Sequence, residues 1–134
     1  MIKDLVFVGA GGLLGTLCRY GMQHWIPVGA DGFPLAVLLI NLSGCLFLGW
    51  FFTVTPGVWR IPPRLRLAIG TGFTGAFTTF STFTVDVVRL WSEGQATVSL
   101  LYIASSLLGG LLMSLAGIRL GQYMASRSEG GEAV

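Results

Sequence analysis

The sequence predicts an all-α integral membrane protein with four membrane-crossing helices. Three observations carry this. Of 134 residues, 53% are hydrophobic and 10% charged, with a mean hydropathy of +0.76; a soluble domain carries roughly a quarter charged residues. Apolar stretches near the roughly 20 residues that span hydrocarbon recur four times, and the linkers between them leave no room for a soluble catalytic domain. The 20 glycines suit close helix packing in lipid, whereas a water-soluble fold would need an almost uncharged surface.

The first span covers residues 5–25 and is interrupted by Arg19. Its basic flank is only Lys3 beside Asp4, and the run continues through Gly11, Gly12 and Gly15 with no clean cleavage site. It therefore reads as a retained helix, not a secretion signal. The second span, Leu35–Val54, has no charge; the third, residues 67–88, holds one acid, Asp86; the fourth, residues 96–118, has none. Linkers at residues 26–34, 55–66 and 89–95 separate them, with prolines that stop helices. Residues 1–125 form one four-helix transmembrane unit, and residues 126–134 a short polar C-terminal tail expected to fray.

Four crossings place both termini on one side. That side holds Lys3, Arg60, Arg64, Arg66, Arg119 and Arg127, against Arg19 and Arg89 on the other, so the basic bias predicts cytoplasmic termini. Small residues four apart mark contact faces: Gly11 and Gly15, Thr71 and Gly75, Ser106 and Gly110, Gly117 and Gly121. Four helices enclose little polar space alone, which points to a homodimer.

Several chemistries are excluded. There is no metalloprotease, nucleophile-elbow, phosphate-loop or paired-carboxylate pattern, so nothing reads as an enzyme. Cys18 and Cys45 lie in apolar surroundings and suggest neither a metal site nor a disulfide, and His24 sits beside Trp25 near a membrane edge. The small, dispersed basic excess argues against nucleic acid as a partner. Asp86 stands near the end of its span, and Asp31 and Glu93 fall in linkers. A small multidrug-type proton-coupled exporter, the alternative reading, usually needs a buried carboxylate.

Hydroxyls and one amide remain inside the spans: Asn41, Ser43, Thr71, Thr74, Thr78, Thr79, Ser81, Thr82, Tyr102, Ser105 and Ser106. Asn41 donates two hydrogen bonds without charge. Tyr102, Ser106 and Gly110 share a helix face. These residues serve either as interhelical glue or as donors along a narrow path. The stretch GFTGAFTTFSTF (residues 72–83) concentrates the question. Gly72 and Gly75 loosen a helix, and threonines satisfy freed backbone groups. Phe80 and Phe83 share a face. Their positive ring edges suit an anion, and carbonyls exposed at a break suit a cation, yet the same spacing fits a packed core.

At these residues the chain resembles the Fluc/CrcB family of microbial fluoride channels. GFTGAFTTFSTF is similar to that family's third-helix signature, GGLLGTLCRY (residues 11–20) to its first-helix motif and NLSGCLFLG (residues 41–49) to its second. The resemblance implies a dual-topology homodimer of antiparallel subunits in the bacterial plasma membrane, with a broken third helix and two fluoride pores. It implies that Asn41, Phe80, Phe83, Thr79, Tyr102 and Ser106 line the fluoride path and that Arg19 stands near a vestibule, where attraction of anions and snorkelling to the interface are both open. It also implies a structural Na+ at the dimer centre, held by the Gly75 and Thr78 carbonyls of both subunits. Where a further hydroxyl is expected one turn past Ser106, this chain has Gly110. The basic bias of six against two fits dual insertion poorly.

Overall fold

A computed structural model describes residues 2–29 and 32–130, so Asp31 and the last residues of the tail lie outside the described part. The elements are helices α1 (Ile2–Trp25), α2 (Leu35–Val54) and α3 (Pro63–Leu67), a π-helical segment (Ala68–Phe73), and helices α4 (Thr74–Phe77), α5 (Phe80–Ser92) and α6 (Ala96–Gly130). No strand occurs among the described residues. Among the described residues three helices are long and apolar enough to cross a membrane: α1, α2 and residues 96–127 of α6. The third apolar stretch is instead divided into short helical pieces, none of which reaches that length alone.

Local chemistry sets the boundaries. Pro62 and Pro63 open α3, where a missing N–H costs nothing because the first helical N–H groups have no partner in the helix. Helix α5 ends in a six-to-one turn. Gln95 N–H donates to Leu90 O at 2.9 Å, Gly94 N–H donates to Trp91 O at 3.1 Å, and Gly94 has φ +78°. A residue with a Cβ is strained at that φ, so glycine holds the tight reversal into α6. Helix α6 does not stop at the expected tail boundary but continues to Gly130. Extending an existing helix costs far less than starting one, and the Arg127 guanidinium stacks 4.8 Å from the Tyr123 ring one turn back.

Two close helix pairs build the bundle. Helix α1 runs parallel to residues 63–77. Gly11 lies against the Ala68 carbonyl, Gly15 against that of Phe73, and Gly72 against the Val8 backbone. An Asp4–Arg64 ion pair of 2.9 Å joins the ends of the pair. Helix α2 runs parallel to α6, with Gly49 against the Ser114 carbonyl and Gly117 against that of Leu46. A Cβ at any of these glycines would overlap backbone, so dispersion contact at these seams depends on its absence. Two of the expected small-residue pairs thus meet neighbours within the chain, as does Gly110. Gly75 does not: a Cβ there would meet nothing within 4 Å. The buried centre at one end of the bundle is Val37, Leu90 and Tyr102, with Phe33, Phe83 and Val87 packed on it. Leucines on α1 and α6, such as Leu13, Leu14, Leu107, Leu108, Leu111 and Leu112, point outward. In a helical integral membrane protein such a surface faces lipid at no cost.

Candidate functional site

The site grows from an interruption. Thr78 (φ −75°, ψ 157°) and Thr79 (φ −146°, ψ 121°) are extended, so the helix stops after Phe77 and restarts at Phe80. An interruption inside an apolar bundle leaves amides and carbonyls without their helical partners, and each needs another. Asn41 on α2 supplies two bonds: its Oδ1 accepts from Thr79 N–H at 2.9 Å, and its Nδ2 donates to Thr79 O at 3.0 Å. Gly44, one turn on, permits this approach, because a Cβ there would overlap Thr78 Cγ2. Thr79 then caps α5, its Oγ1 accepting from Thr82 N–H at 3.2 Å. Below the break, Thr78 Oγ1 donates to Thr74 O (2.9 Å) and Thr74 Oγ1 to Ile69 O (3.0 Å), where the π turn has widened the helix.

These bonds redirect two amides. In a continuous helix Thr79 N–H would serve the Gly75 carbonyl and Thr82 N–H that of Thr78. Here the first goes to Asn41 and the second to the Thr79 hydroxyl. The Gly75 and Thr78 carbonyls each lose their helical donor. Those are the two carbonyls expected to meet a cation.

The structure brings some of the expected residues together and leaves others apart. Asn41, Thr78, Thr79 and Phe80 line a hollow of about 240 Å³ beside the break, with Gly44, Cys45 and Leu48. Phe80 is 80% exposed. Its ring lies 5.8 Å from Phe83, and Phe83 lies 5.1 Å from Tyr102, whose other side takes the edge of Phe33. Tyr102 is fully buried, yet among the described residues its hydroxyl has no hydrogen-bond partner, and the buried Ser106 Oγ one turn on has none either. Arg19, half-buried on α1, is not in the hollow and makes no hydrogen bond or ion pair among the described residues.

Three residues carry more than sequence reasoning assigned them. Gly44 is the spacer that lets α2 reach the break. Cys45 stands opposite the missing hydroxyl: a Cβ on Gly110 would lie 3.5 Å from its Sγ. Asp86 is mostly shielded, its side chain 16% exposed, and it pairs with Arg89 at 3.5 Å on the wall of a small hollow that Thr82 also lines. Its spacing of three from Phe83 was the available signal for its shared helix face.

Comparison with known proteins agrees with the motifs. Residues 6–118 match the family described as CrcB-like protein, Camphor Resistance (CrcB). The chain is 44% identical over 130 residues to fluoride-specific ion channel FluC 1 of Bacillus cereus, covering 95% of this chain and 90% of the relative. It is 46% identical over 131 residues to FluC 2 of Geobacillus kaustophilus, covering 95% of each. It is 42% identical over 113 residues to FluC 2 of Moorella thermoacetica, covering 84% of this chain and 91% of that relative.

Proposed function

The chain belongs to the CrcB-like family, and from that premise we propose that it is a fluoride-selective channel that exports the anion passively and protects the cell from its toxicity. Fluoride crosses membranes as the neutral weak acid when the outside is acidic, and ionises inside. A potential negative inside then drives the anion outward through any open path, with no ATP site and no proton-carrying carboxylate. The observation that carries the reading is the pair of buried, unpartnered hydroxyls, Tyr102 OH and Ser106 Oγ. A buried donor without an acceptor costs about 1–3 kcal/mol. A small, strongly hydrated anion that exchanges its water for these donors removes that cost.

Asn41 has two duties in this reading. Its Oδ1 and one Nδ2 hydrogen hold Thr79, so one N–H remains to face the path. Phe80 and Phe83 offer ring edges, and Thr79 supports the turn between Asn41 and Phe80. Arg19 draws anions toward a vestibule.

The finer architecture belongs to the same proposal. Residues 63–92 act as the broken third of four spans, and two antiparallel copies pair across the break. The exposed Phe80 ring and the open space at Gly75 support a second copy there. A structural sodium is held by the Gly75 and Thr78 carbonyls of both copies, and it supplies fixed positive charge near the path without moving. One copy offers two such carbonyls, too few for a cation, so the second copy completes the set. The protein sits as a multi-pass dimer in the bacterial plasma membrane. The multidrug-exporter alternative gains nothing, since the one acid of the third span is paired with Arg89.

The test is efflux from liposomes holding purified protein. Fluoride is expected to leave without chloride, without ATP and without an imposed proton gradient. Chloride leaving as fast as fluoride refutes selectivity, and no fluoride efflux from a folded dimer refutes the channel.

A further inference from the structure

A second cavity lies at the opposite end of α2 from the tyrosine cluster. It is an open depression of about 640 Å³ between the end of α2 and the start of α3, and its walls include Phe52, Thr55, Arg60, Ile61, Arg66 and Thr71. Its charge is one-sided. Arg64 is neutralised by Asp4, whereas Arg60 and Arg66 form no ion pair among the described residues. The Arg66 guanidinium is held 5.1 Å from the Phe52 ring centroid, and its Nε is buried without an acceptor among the described residues. Thr55 is 2% exposed, and its hydroxyl likewise has no partner among the described residues. Arg60 stands at φ +39°, a backbone conformation that a non-glycine residue seldom adopts. Two cations and a buried hydroxyl thus line one space, and apart from the Arg66–Phe52 contact none of them has a partner among the described residues.

We propose that this cavity binds a phosphate group through Arg60, Arg66 and Thr55. Guanidinium groups pair with phosphate oxygens through two parallel N–H bonds, which suits a tetrahedral oxyanion better than a point charge. The volume far exceeds a bare halide. Phe52 and Ile61 add apolar wall beside the charges, as a phosphate with an organic stem requires. The place fits too: α2 is long enough to cross a membrane, so its end lies at the depth of lipid headgroups. Phospholipid and free phosphate share this chemistry, and neither depends on fluoride conduction.

The experiment titrates the purified full-length protein in detergent with short-chain phosphatidylglycerol, with diacylglycerol of the same chains, and with inorganic phosphate, reading heat of binding. Saturable binding of phosphatidylglycerol and none of diacylglycerol is expected. Competition by inorganic phosphate makes the free ion a ligand as well, and its absence assigns the site to lipid alone. Arg60→Gln and Arg66→Gln each weaken binding about tenfold, as loss of a charge-assisted bond does, and Thr55→Val weakens it less, while Arg127→Gln leaves it unchanged. No saturable binding of either phosphate overturns the proposal. So does equal binding of diacylglycerol, or equal weakening by Arg127→Gln. If Arg66→Gln fails to fold by gel filtration, Arg60→Gln decides, because its side chain is exposed and unbonded; undiminished binding in that variant overturns the proposal.

Discussion

Replacing Asn41 with Ala removes both bonds to Thr79 at once. Thr79 is 5% exposed, so its N–H and C=O are stranded in the bundle. Each buried, unsatisfied group costs about 1–3 kcal/mol, which brackets the loss at roughly 2–6 kcal/mol. The hollow beside the break adjoins both groups. Water entering it replaces part of each bond, which moves the expectation to the lower half, about 2–4 kcal/mol. That is a large share of the 5–15 kcal/mol that usually holds a domain folded. Thermal unfolding in detergent should show a midpoint several degrees lower, and fluoride efflux should fall at temperatures where the variant is still folded. Asn41→Asp tests the other duty: it keeps an acceptor for Thr79 N–H but sets a negative charge in the path, so efflux should nearly vanish. An Asn41→Ala variant with unchanged midpoint and unchanged efflux refutes both the clamp energy and the pore role.

Other outcomes follow from the same geometry. Ser106→Ala and Tyr102→Phe remove hydroxyls that bond nothing among the described residues, so stability should hold or rise by about 1 kcal/mol while efflux drops; lost stability with intact efflux would make them glue. Phe80→Met should slow efflux with little change in the stability of one chain, because the ring is exposed, whereas Phe83→Met should slow it and also lose the Tyr102 contact, about 0.5–1.5 kcal/mol; full efflux in both variants refutes the ring-edge role. Gly44→Ala pushes a methyl group into Thr78 and should cost about 1–3 kcal/mol, read as a lower unfolding midpoint. Exhaustive exchange of sodium for a large organic cation should lower the dimer fraction in gel filtration, and an unchanged fraction removes the structural sodium.

Much of this was legible in local chemistry. Helix α2 occupies the residues that its uncharged run marked out, and the glycine faces of α1 and α6 meet their neighbours as small-residue spacing suggests. Two ends moved. Helix α1 begins at Ile2, before the apolar run, with Asp4 in its first turn and bonded to Arg64 on a distant segment. Helix α6 outruns its apolar part because polar residues continue a helix readily. The third stretch was the least legible. Glycines at 72 and 75 signalled a loosened helix, and a π turn does include Gly72. The interruption itself lies at Thr78 and Thr79, fixed by an amide that is 38 residues away in sequence. A partner on another helix leaves no trace in the periodicity of the segment it bends. The same holds for Cys45 facing Gly110, a contact only the α2–α6 seam creates.

The interruption also has an electrical consequence. Peptide dipoles add along a helix, leaving partial negative charge at its carbonyl end and partial positive charge at its amide end. Residues 63–77 finish with carbonyls at the break, and α5 starts there with amides. Two poles of opposite sign therefore face each other across two extended residues. Among the described residues no ionised side chain lines the hollow between them. Such fixed poles need no titration and lose no rotamer freedom, and they are felt most strongly where the surroundings are least polarisable. A single interrupted helix thereby gives a cation one favourable end and an anion the other, within a few ångströms and with no formal charge buried to do it.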